Sequence, residues 1–303
     1  MTAVDAQQAV DAVNRVFGRH SGFRALHAKG TLCKGTFTPT PEAATLTRAA
    51  VFGGESVPAT FRFSNGSGNP GHPDYQPDPR GLAAKFYLPD GSRTDIVCVS
   101  SPRFPVKTPE AFIELVEAQG AGPAAAWKLP LVFARHPEAL RNMPALAPTL
   151  APPASYAVIP YYGIHAFRWI DAQGGERWVR YRVLPQAPRE KIAPWAARRR
   201  GRDYLQEELR TRLAGGPILF TLEVQIAIPG DPINDPSAAW PKARRTVNVG
   251  RYEITELETE RETGGDVLVF DPTRVVEGIE LSDDPVLRFR HAAYSESVAR
   301  RMG

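Results

Sequence analysis

The stretch LRFRHAAYSESVARRMG, residues 287–303, carries a tyrosine between arginines at helical spacing. Arg290 and Tyr294 are four positions apart, so on a helix they stack on one face, and Arg301, seven positions beyond Tyr294, lies near the same face. A phenol ordinarily ionises only near pH ~10, so a tyrosine binds iron well when a cation such as Arg290 holds its oxygen as phenolate. Arg301 could hold a carboxylate of the same ligand. The alternative is a solvated basic helix end that complements the helix dipole.

A second set of candidate residues lies near the N-terminal end of the sequence. In PATFRFSNGSG, residues 58–68, Arg62 and Ser64 alternate with phenylalanines, so both polar side chains point to one face of a strand. That arrangement lets an anion-binding arginine and a hydrogen-bonding serine face one pocket. His27 could take a proton from a substrate and return it, although a lone histidine is more often structural.

The elements that must position these residues are mostly strands. Hairpins are predicted at 81–99, with a turn at Asp90-Gly91, and at 161–185, and hairpins imply antiparallel pairing. Further strands are predicted at 23–39, 58–68, 217–230 and 243–258, which gives about eight in all. Helices are predicted at 5–18, in pieces over 108–150 with Thr108 as the first N-cap, at 202–216 and from Pro285 to the end. The expected fold is therefore α+β, an antiparallel barrel or sandwich with appended helices in a single domain, 1–303.

Composition excludes several classes of protein. The 303 residues carry a net charge of only +4, and two cysteines cannot form a disulfide framework or a spaced metal site. The sequence has no apolar run of membrane-helix or leader length, which predicts a cytoplasmic protein that is not an integral membrane protein. The basic run Arg198–Arg202 lacks interleaved aromatic residues, so we interpret it as a solvated helix entry and not a nucleic-acid site.

Several motifs together resemble the haem catalase family. The tail RFRHAAYSESVARRMG is similar to the family's proximal signature, and FDPTRVVEGIELSDDPVLRFR to the segment that precedes it. FRALHAKGTLCKGTF resembles the distal-histidine motif, PATFRFSNGSG and DPRGLAAKFY the next two strands, and YYGIHAF a proximal-side strand. The motifs keep the family order over residues 24–303. The resemblance implies an eight-stranded antiparallel β-barrel with appended helices, without the long N-terminal arm and C-terminal helical domain of full-sized catalases.

The resemblance also implies a role for individual residues around an iron-containing haem of the b type (heme b). Tyr294 matches the axial iron ligand, Arg290 its cationic partner, and His165 with Asp284 the groups behind that arginine. His27 matches the distal histidine that moves the peroxide proton, and Ser64 the serine that orients it. The remaining matches are propionate-binding Arg24, Arg62 and Arg301, the pocket aromatics Phe104 and Phe112, and Asp78 at the mouth of the substrate channel.

One departure from the family pattern affects the expected reaction. Full catalases follow the distal strand with an asparagine that helps to hold peroxide, and this position is Val99 here, with Ser100 beside it. Valine donates no hydrogen bond, and losing one preorganised donor at a reacting centre costs about 10²–10³ in rate. Oxidation of a second peroxide to dioxygen should suffer most.

The sequence therefore predicts a catalase-related peroxidase. It would reduce hydrogen peroxide or organic hydroperoxides with a small organic reductant, with weak or no catalase activity. Three alternatives stay open: a low-activity catalase in which water or Ser100 replaces the missing donor, an isomerase of fatty-acid hydroperoxides, and a module that stores or senses haem without turnover. By resemblance alone, a homodimer is expected.

Overall fold

The structure is a computed structural model that describes residues 4–258 and 268–302. Ten strands lie in this part of the chain. Their bounds are β1 Gly30–Pro39, β2 Val57–Asn65, β3 Arg80–Tyr87, β4 Arg93–Val99, β5 Tyr161–Tyr162, β6 Phe167–Ile170, β7 Glu176–Pro185, β8 Ile218–Ile226, β9 Thr246–Leu257 and β10 Ile279–Leu281.

Eight of these strands close into an antiparallel barrel. Strands β1 to β4 pair in chain order, β5 joins β4 to β7, and β8 and β9 complete the ring back to β1. The short strands β6 and β10 extend from β7 beside the ring. The predicted antiparallel fold is confirmed, and of the two predicted architectures the barrel is the one present.

Aromatic side chains fill the barrel interior. Phe37 lies 5.2 Å from Phe86 and 5.6 Å from Tyr252 between ring centroids, and Phe61 lies 5.0 Å from Tyr252. An eight-stranded barrel has an interior just wide enough for side chains to fill, so this packing closes the centre. Phe61 and Phe63 on β2 belong to this core, which confirms the predicted alternation and directs the intervening side chains outward.

Eight helices cover the barrel in the described ranges, together with three short 3₁₀ turns. Their bounds are α1 Ala6–Phe17, α2 Pro41–Leu46, α3 Pro109–Gln119, α4 Ala125–Arg135, α5 Pro137–Leu150, α6 Pro194–Arg199, α7 Tyr204–Ala214 and α8 Pro285–Met302. The predicted cap Thr108 accepts a hydrogen bond from the Ala111 amide at 3.3 Å. None of these helices has the length and apolarity needed to cross a bilayer.

The segment that precedes β1 differs from the prediction of an extended run over 23–39. Strand β1 begins only at Gly30, and residues 23–29 form a loop. His27 has φ +54°, a left-handed conformation that a strand does not allow. The amides of His27 and Ala28 instead donate to the carbonyls of Gly66 and Ser67, each at 3.0 Å. These bonds hold the loop against the chain that leaves β2.

Candidate active site

A cavity of about 850 Å³ lies between the outer face of the barrel and the surrounding helices. Strands β2, β3 and β4 form one wall, and helices α1, α3 and α8 contribute to the others. The predicted site residues that line it are Arg24, His27, Arg62, Ser64, Asp78, Val99, Phe104, Phe112, Arg290, Tyr294 and Arg301. Ser100, His165 and Asp284 do not line it. The fold thus gathers most of the predicted site from both ends of the chain.

Helix α8 presents its predicted stripe to this cavity. Nη1 of Arg290 donates a hydrogen bond to the phenol oxygen of Tyr294 at 3.1 Å, so a positive charge lies directly against that oxygen. Arg301 lines the same cavity two turns further along the helix. Helical spacing alone is therefore enough to direct these three side chains toward one cavity.

Asp284 fixes the beginning of α8. Its Oδ1 accepts hydrogen bonds from the amides of Val286 at 2.8 Å and Leu287 at 3.3 Å, which are otherwise unpaired donors at a helix start. Its Oδ2 accepts from Nδ1 of His165 at 2.6 Å, and both side chains are buried.

His165 is held neutral behind the helix. Burial, and then the positive charge of Arg290, lower its pKa to about 4. Its Nε2 has no hydrogen-bond partner within the described ranges. His165 therefore anchors α8 through Asp284, and the effect of Arg290 on its pKa agrees with the expectation that this pair lies behind that arginine.

His27 lies across the cavity on the barrel side. Its Nδ1 is 3.0 Å from Ser64 Oγ, within hydrogen-bonding distance. It is the one non-glycine residue with a positive φ in the described part of the chain, and such strain persists where the surroundings hold it. Burial and the charges of Arg62, Arg290 and Arg24, in that order, lower the pKa of His27 to about 3. The imidazole is therefore neutral near pH 7 and can accept a proton.

The barrel register places three residues side by side next to His27. Ser64 on β2 pairs with Gly81 on β3, and Gly81 pairs with Val99 on β4, so all three face outward. A Cβ on Gly81 would lie 2.6 Å from Ser64 Oγ and 3.0 Å from His27 Nδ1. Only glycine leaves room for the imidazole here. The sequence analysis missed Gly81; the signal was a glycine near the start of a largely buried strand.

Ser100 is turned away from the cavity. Its hydroxyl accepts from the Arg80 amide at 3.0 Å and lies 3.4 Å from the Thr149 carbonyl oxygen. The expectation that Ser100 lies along the channel does not match this position, because its side chain fixes the start of β3. Val99 is the residue of this pair that faces the cavity.

Arginines gather along the same cavity. Arg62 is 4% exposed and donates to the Ala28 carbonyl at 3.3 Å, and Arg24 donates to the Leu268 carbonyl at 2.6 Å. A Cβ at Gly30 would lie 2.5 Å from the Arg62 guanidinium carbon, so this glycine makes space for the side chain. Guanidinium groups form strong, charge-assisted hydrogen bonds with carboxylates and phosphates, so this part of the cavity suits a ligand that carries such groups.

Two further groups complete the walls. The rings of Phe104 and Phe112 pack at 5.0 Å between centroids and make one side apolar. Asp78 is 7% exposed and accepts from the Ser67 amide at 3.0 Å, and burial raises the pKa of its carboxyl. His72, which the sequence analysis missed, also lines the cavity, and burial lowers its pKa.

This donor set fits haem. Tyr294 with Arg290 offers one phenol ligand against a cation, the guanidinium groups suit carboxylates, and Phe104 and Phe112 provide an apolar wall. In the residues that the structure describes, no group of three or more histidine, cysteine, aspartate or glutamate side chains could hold a bare metal ion. A planar cofactor that brings its own nitrogen ligands needs no such group.

Comparison with known proteins agrees with this geometry. The family model described as Catalase matches residues 7–303. Two curated proteins named catalase-related peroxidase are similar: one from Mycolicibacterium paratuberculosis is 49% identical, covering 98% of this chain and 94% of its own, and one from Synechococcus elongatus is 33% identical, covering 99% and 89%.

Solved structures show the same fold. A fungal catalase superposes with a TM-score of 0.82 at 25% identity, over 98% of this chain and 62% of its own. Catalase A from Saccharomyces cerevisiae has a TM-score of 0.84 at 22% identity, over 98% and 64%. The chain thus spans about three fifths of the length of these catalases. The family model matches nearly the whole chain, and two curated relatives are 49% and 33% identical to it. The chain therefore belongs to the catalase family.

Proposed function

We propose that this chain is a haem-dependent peroxidase that reduces hydrogen peroxide and organic hydroperoxides with an organic electron donor and has weak or no catalase activity. The observation that carries the proposal is Val99, which faces the cavity beside Gly81 and His27 where the family has a hydrogen-bond donor. The two similar proteins named catalase-related peroxidase support the same class.

The cofactor would be haem of the b type. Tyr294 would bind its iron through the phenol oxygen, with Arg290 beside that oxygen, and Arg24, Arg62 and Arg301 would pair with its carboxylates. Bound haem would supply the redox chemistry of peroxide O–O cleavage. Phe104 and Phe112 would exclude water from one side.

The proton chemistry belongs to His27. Because its pKa is lowered to about 3, the ring is neutral near pH 7 and can accept the peroxide proton, then return it to the departing oxygen. Ser64, 3.0 Å from Nδ1, fixes the ring orientation and leaves Nε2 for the transfer. This pair favours O–O cleavage over a rearrangement that needs no proton transfer, and so favours a peroxidase over a hydroperoxide isomerase.

The position of Ser100 weakens the catalase alternative. That alternative needed Ser100, or a water, to replace the donor missing at Val99, but Ser100 does not line the cavity, and its hydroxyl is engaged with the Arg80 amide and the Thr149 carbonyl. Oxidation of a second peroxide would then lack a preorganised donor, at a cost of about 10²–10³ in rate.

Donor dependence of peroxide consumption tests the proposal. Haem-loaded protein is given hydrogen peroxide or cumene hydroperoxide, with and without a phenolic donor. We expect consumption of both peroxides only with donor, and its loss in His27→Ala at unchanged haem content. Donor-independent conversion of a fatty-acid hydroperoxide would instead establish an isomerase. Stable haem with no peroxide reaction would establish a storage module.

A further inference from the structure

Helices α4 and α5 expose an apolar surface that the proposed reaction does not use. Trp127 and Leu131 on α4 are 58% and 51% exposed, and Leu140 and Met143 on α5 are 57% and 38% exposed. These four side chains, called here the α4–α5 face, are half of the large exposed apolar residues in the described part of the chain. Their spacings of four and three place each pair on one side of its helix.

Small apolar residues fill the space around these four. The exposed positions beside them include Ala126, Pro130, Ala134, Pro144, Ala147 and Pro148. Exposed apolar residues gathered on two helices that contact each other indicate a site of interaction.

The opposite sides of the same helices are already packed. Val132 and Ala139 are 2% and 1% exposed and form a cluster with Ala111 and Leu115 of α3. Both helices are thus apolar on two sides, one facing the protein and one facing outward. Because these outer apolar side chains are exposed, the outer side is available to a partner.

Cations lie on this surface. Lys128, Arg135 and Arg141 are at least partly exposed, and Lys128 Nζ lies 5.6 Å from the centroid of the Trp127 ring. Arg135 also forms an ion pair with Glu114 of α3, with 3.3 Å between Nη1 and Oε2. The acid within the two helices, Glu138, has a side chain only 13% exposed. An apolar surface edged by cations and containing a tryptophan suits the interface of an anionic bilayer, where the ring lies at headgroup level.

A second copy of the chain suits this surface less well. A two-fold symmetric contact presents the same patch from both partners, so two surfaces that each carry Lys128 and Arg141 would face each other, and like charges across an interface oppose association.

The face also adjoins the cavity. Leu129 and Phe133 of α4 and Leu146 of α5 line the cavity, and Met143 both lines it and is exposed. The cavity therefore reaches the surface at the edge of the α4–α5 face.

We propose that the α4–α5 face docks on the surface of an anionic lipid bilayer, with the cavity opening at the edge of the contact. Trp127, Leu131, Leu140 and Met143 enter the interface, and the neighbouring cations contact lipid headgroups. Hydroperoxides of membrane lipids are then the organic hydroperoxides best placed to enter the cavity. This last point rests on the proposed peroxidase function, whereas the docking does not.

Vesicle sedimentation tests the docking without any turnover. The full chain is mixed with vesicles of phosphatidylcholine alone or of equal parts phosphatidylcholine and phosphatidylglycerol. We expect binding to the anionic vesicles, weaker binding at high salt, and at least about a tenfold loss of binding in the double variant Trp127→Glu/Leu131→Glu. Arg141→Glu should weaken binding to the anionic vesicles about tenfold, because it replaces a cation that attracts the lipid headgroups with an anion that they repel.

Trp195→Glu is the matched control. Trp195 on α6 is 64% exposed and also lies beside a cation, with the Arg199 guanidinium carbon 5.0 Å from its ring centroid, but α6 exposes no second large apolar residue beside it. We expect less than about a twofold change in binding for this variant. A loss equal to that of the double variant would overturn the assignment of the face.

A second readout avoids any risk from misfolded variants. Dibrominated phosphatidylcholine in the anionic vesicles should quench the fluorescence of the unaltered protein, and Trp127→Phe, which keeps the face apolar, should bind equally but be quenched less. No binding to either vesicle, or equal quenching in Trp127→Phe, would overturn the proposal. Self-association that the double variant abolishes, without vesicle binding, would overturn it in favour of a second copy. Vesicle binding with no hydroperoxide turnover would leave the docking standing and contradict only the reaction.

Discussion

The two sides of the cavity are built in different ways. On the helical side, Arg290, Tyr294 and Arg301 come from one continuous stretch of α8 and need only helical periodicity to share a face. On the barrel side, His27 and Ser64 come from separate segments that meet through strand pairing and loop contacts. One side is local in sequence and the other is assembled from distant parts.

This difference predicts how each side responds to change. The helical side depends on one hydrogen bond and on the anchoring of α8 by Asp284. The barrel side depends on close fit. His27 has a positive φ, and a Cβ in place of the Gly81 hydrogen would be too close to Ser64 Oγ and His27 Nδ1. The helical side should therefore be sensitive mainly to the loss of a functional group. The barrel side should be disturbed by even one added methyl group.

Tyr294→Phe should have the largest effect. It removes the phenol oxygen that Arg290 contacts and leaves the ring in place, so the fold should persist. We expect haem retention after gel filtration, followed by the Soret absorbance, to be lost, since even outer partners of a metal ligand are worth about 10–100-fold in affinity. Tyr75→Phe, outside the cavity, is the control. Full haem retention in Tyr294→Phe would show that the helical side does not hold the cofactor.

His27→Ala should have the next largest effect. Loss of the proton-transfer group should lower the rate of peroxide consumption by about 10²–10⁴, with haem content unchanged. Ser64→Ala, which keeps the imidazole but removes its partner at 3.0 Å, should cost less. His291→Ala, an exposed histidine paired with Asp271, provides the control. An unchanged rate in His27→Ala would remove the barrel side from the chemistry.

Gly81→Ala tests the close fit directly. Its Cβ would lie 2.6 Å from Ser64 Oγ and 3.0 Å from His27 Nδ1, so these groups must shift. We expect a loss of about 1–3 kcal/mol in the free energy of unfolding, as for other overpacked sites, together with slower peroxide consumption. In Gly215→Ala the new Cβ would meet its nearest atom at 3.4 Å, and neither property should change much. A fully active Gly81→Ala would contradict the role of fit.

The smallest effect concerns pH. Because burial and nearby arginines lower the pKa of His27 to about 3, the ring stays neutral as the pH falls through the ordinary histidine range. The rate of peroxide consumption should thus change less than about twofold between pH 8 and pH 5. The unfolded chain takes up this proton near pH 6.5 and the folded chain only near pH 3, so the stability that His27 confers decreases as the pH falls between these values. A rate that halves near pH 6.5 would contradict the shifted pKa.

The same contrast explains what the sequence could predict. Periodicity alone predicted α8 and its stripe, the alternation of Phe61 and Phe63 with Arg62 and Ser64, and the cap Thr108. It could not predict that Gly81 must be glycine, because that requirement arises only once β2, β3 and the His27 loop are together. Nor could it predict the loop at 23–29, whose backbone follows long-range bonds to Gly66 and Ser67.

One side-chain assignment failed for a related reason. Ser100 follows Val99 in the chain, but the end of β4 turns its hydroxyl toward backbone groups of Arg80 and Thr149. Sequence spacing also did not reveal that Asp284 caps α8, where its carboxylate accepts from the first amides of the helix and from His165. Both interactions depend on which backbone groups are left unpaired at the end of an element.

Oxygen yield is the most direct test of the central claim, that the barrel side with Val99 supports peroxide reduction but not dioxygen formation. The measurement is oxygen evolved per hydrogen peroxide consumed by haem-loaded protein without donor, for the unaltered chain and for Val99→Asn. We predict little oxygen from the unaltered chain and more from Val99→Asn, which restores a side-chain donor next to Gly81. One dioxygen for every two peroxides from the unaltered chain would contradict the account and make it a catalase.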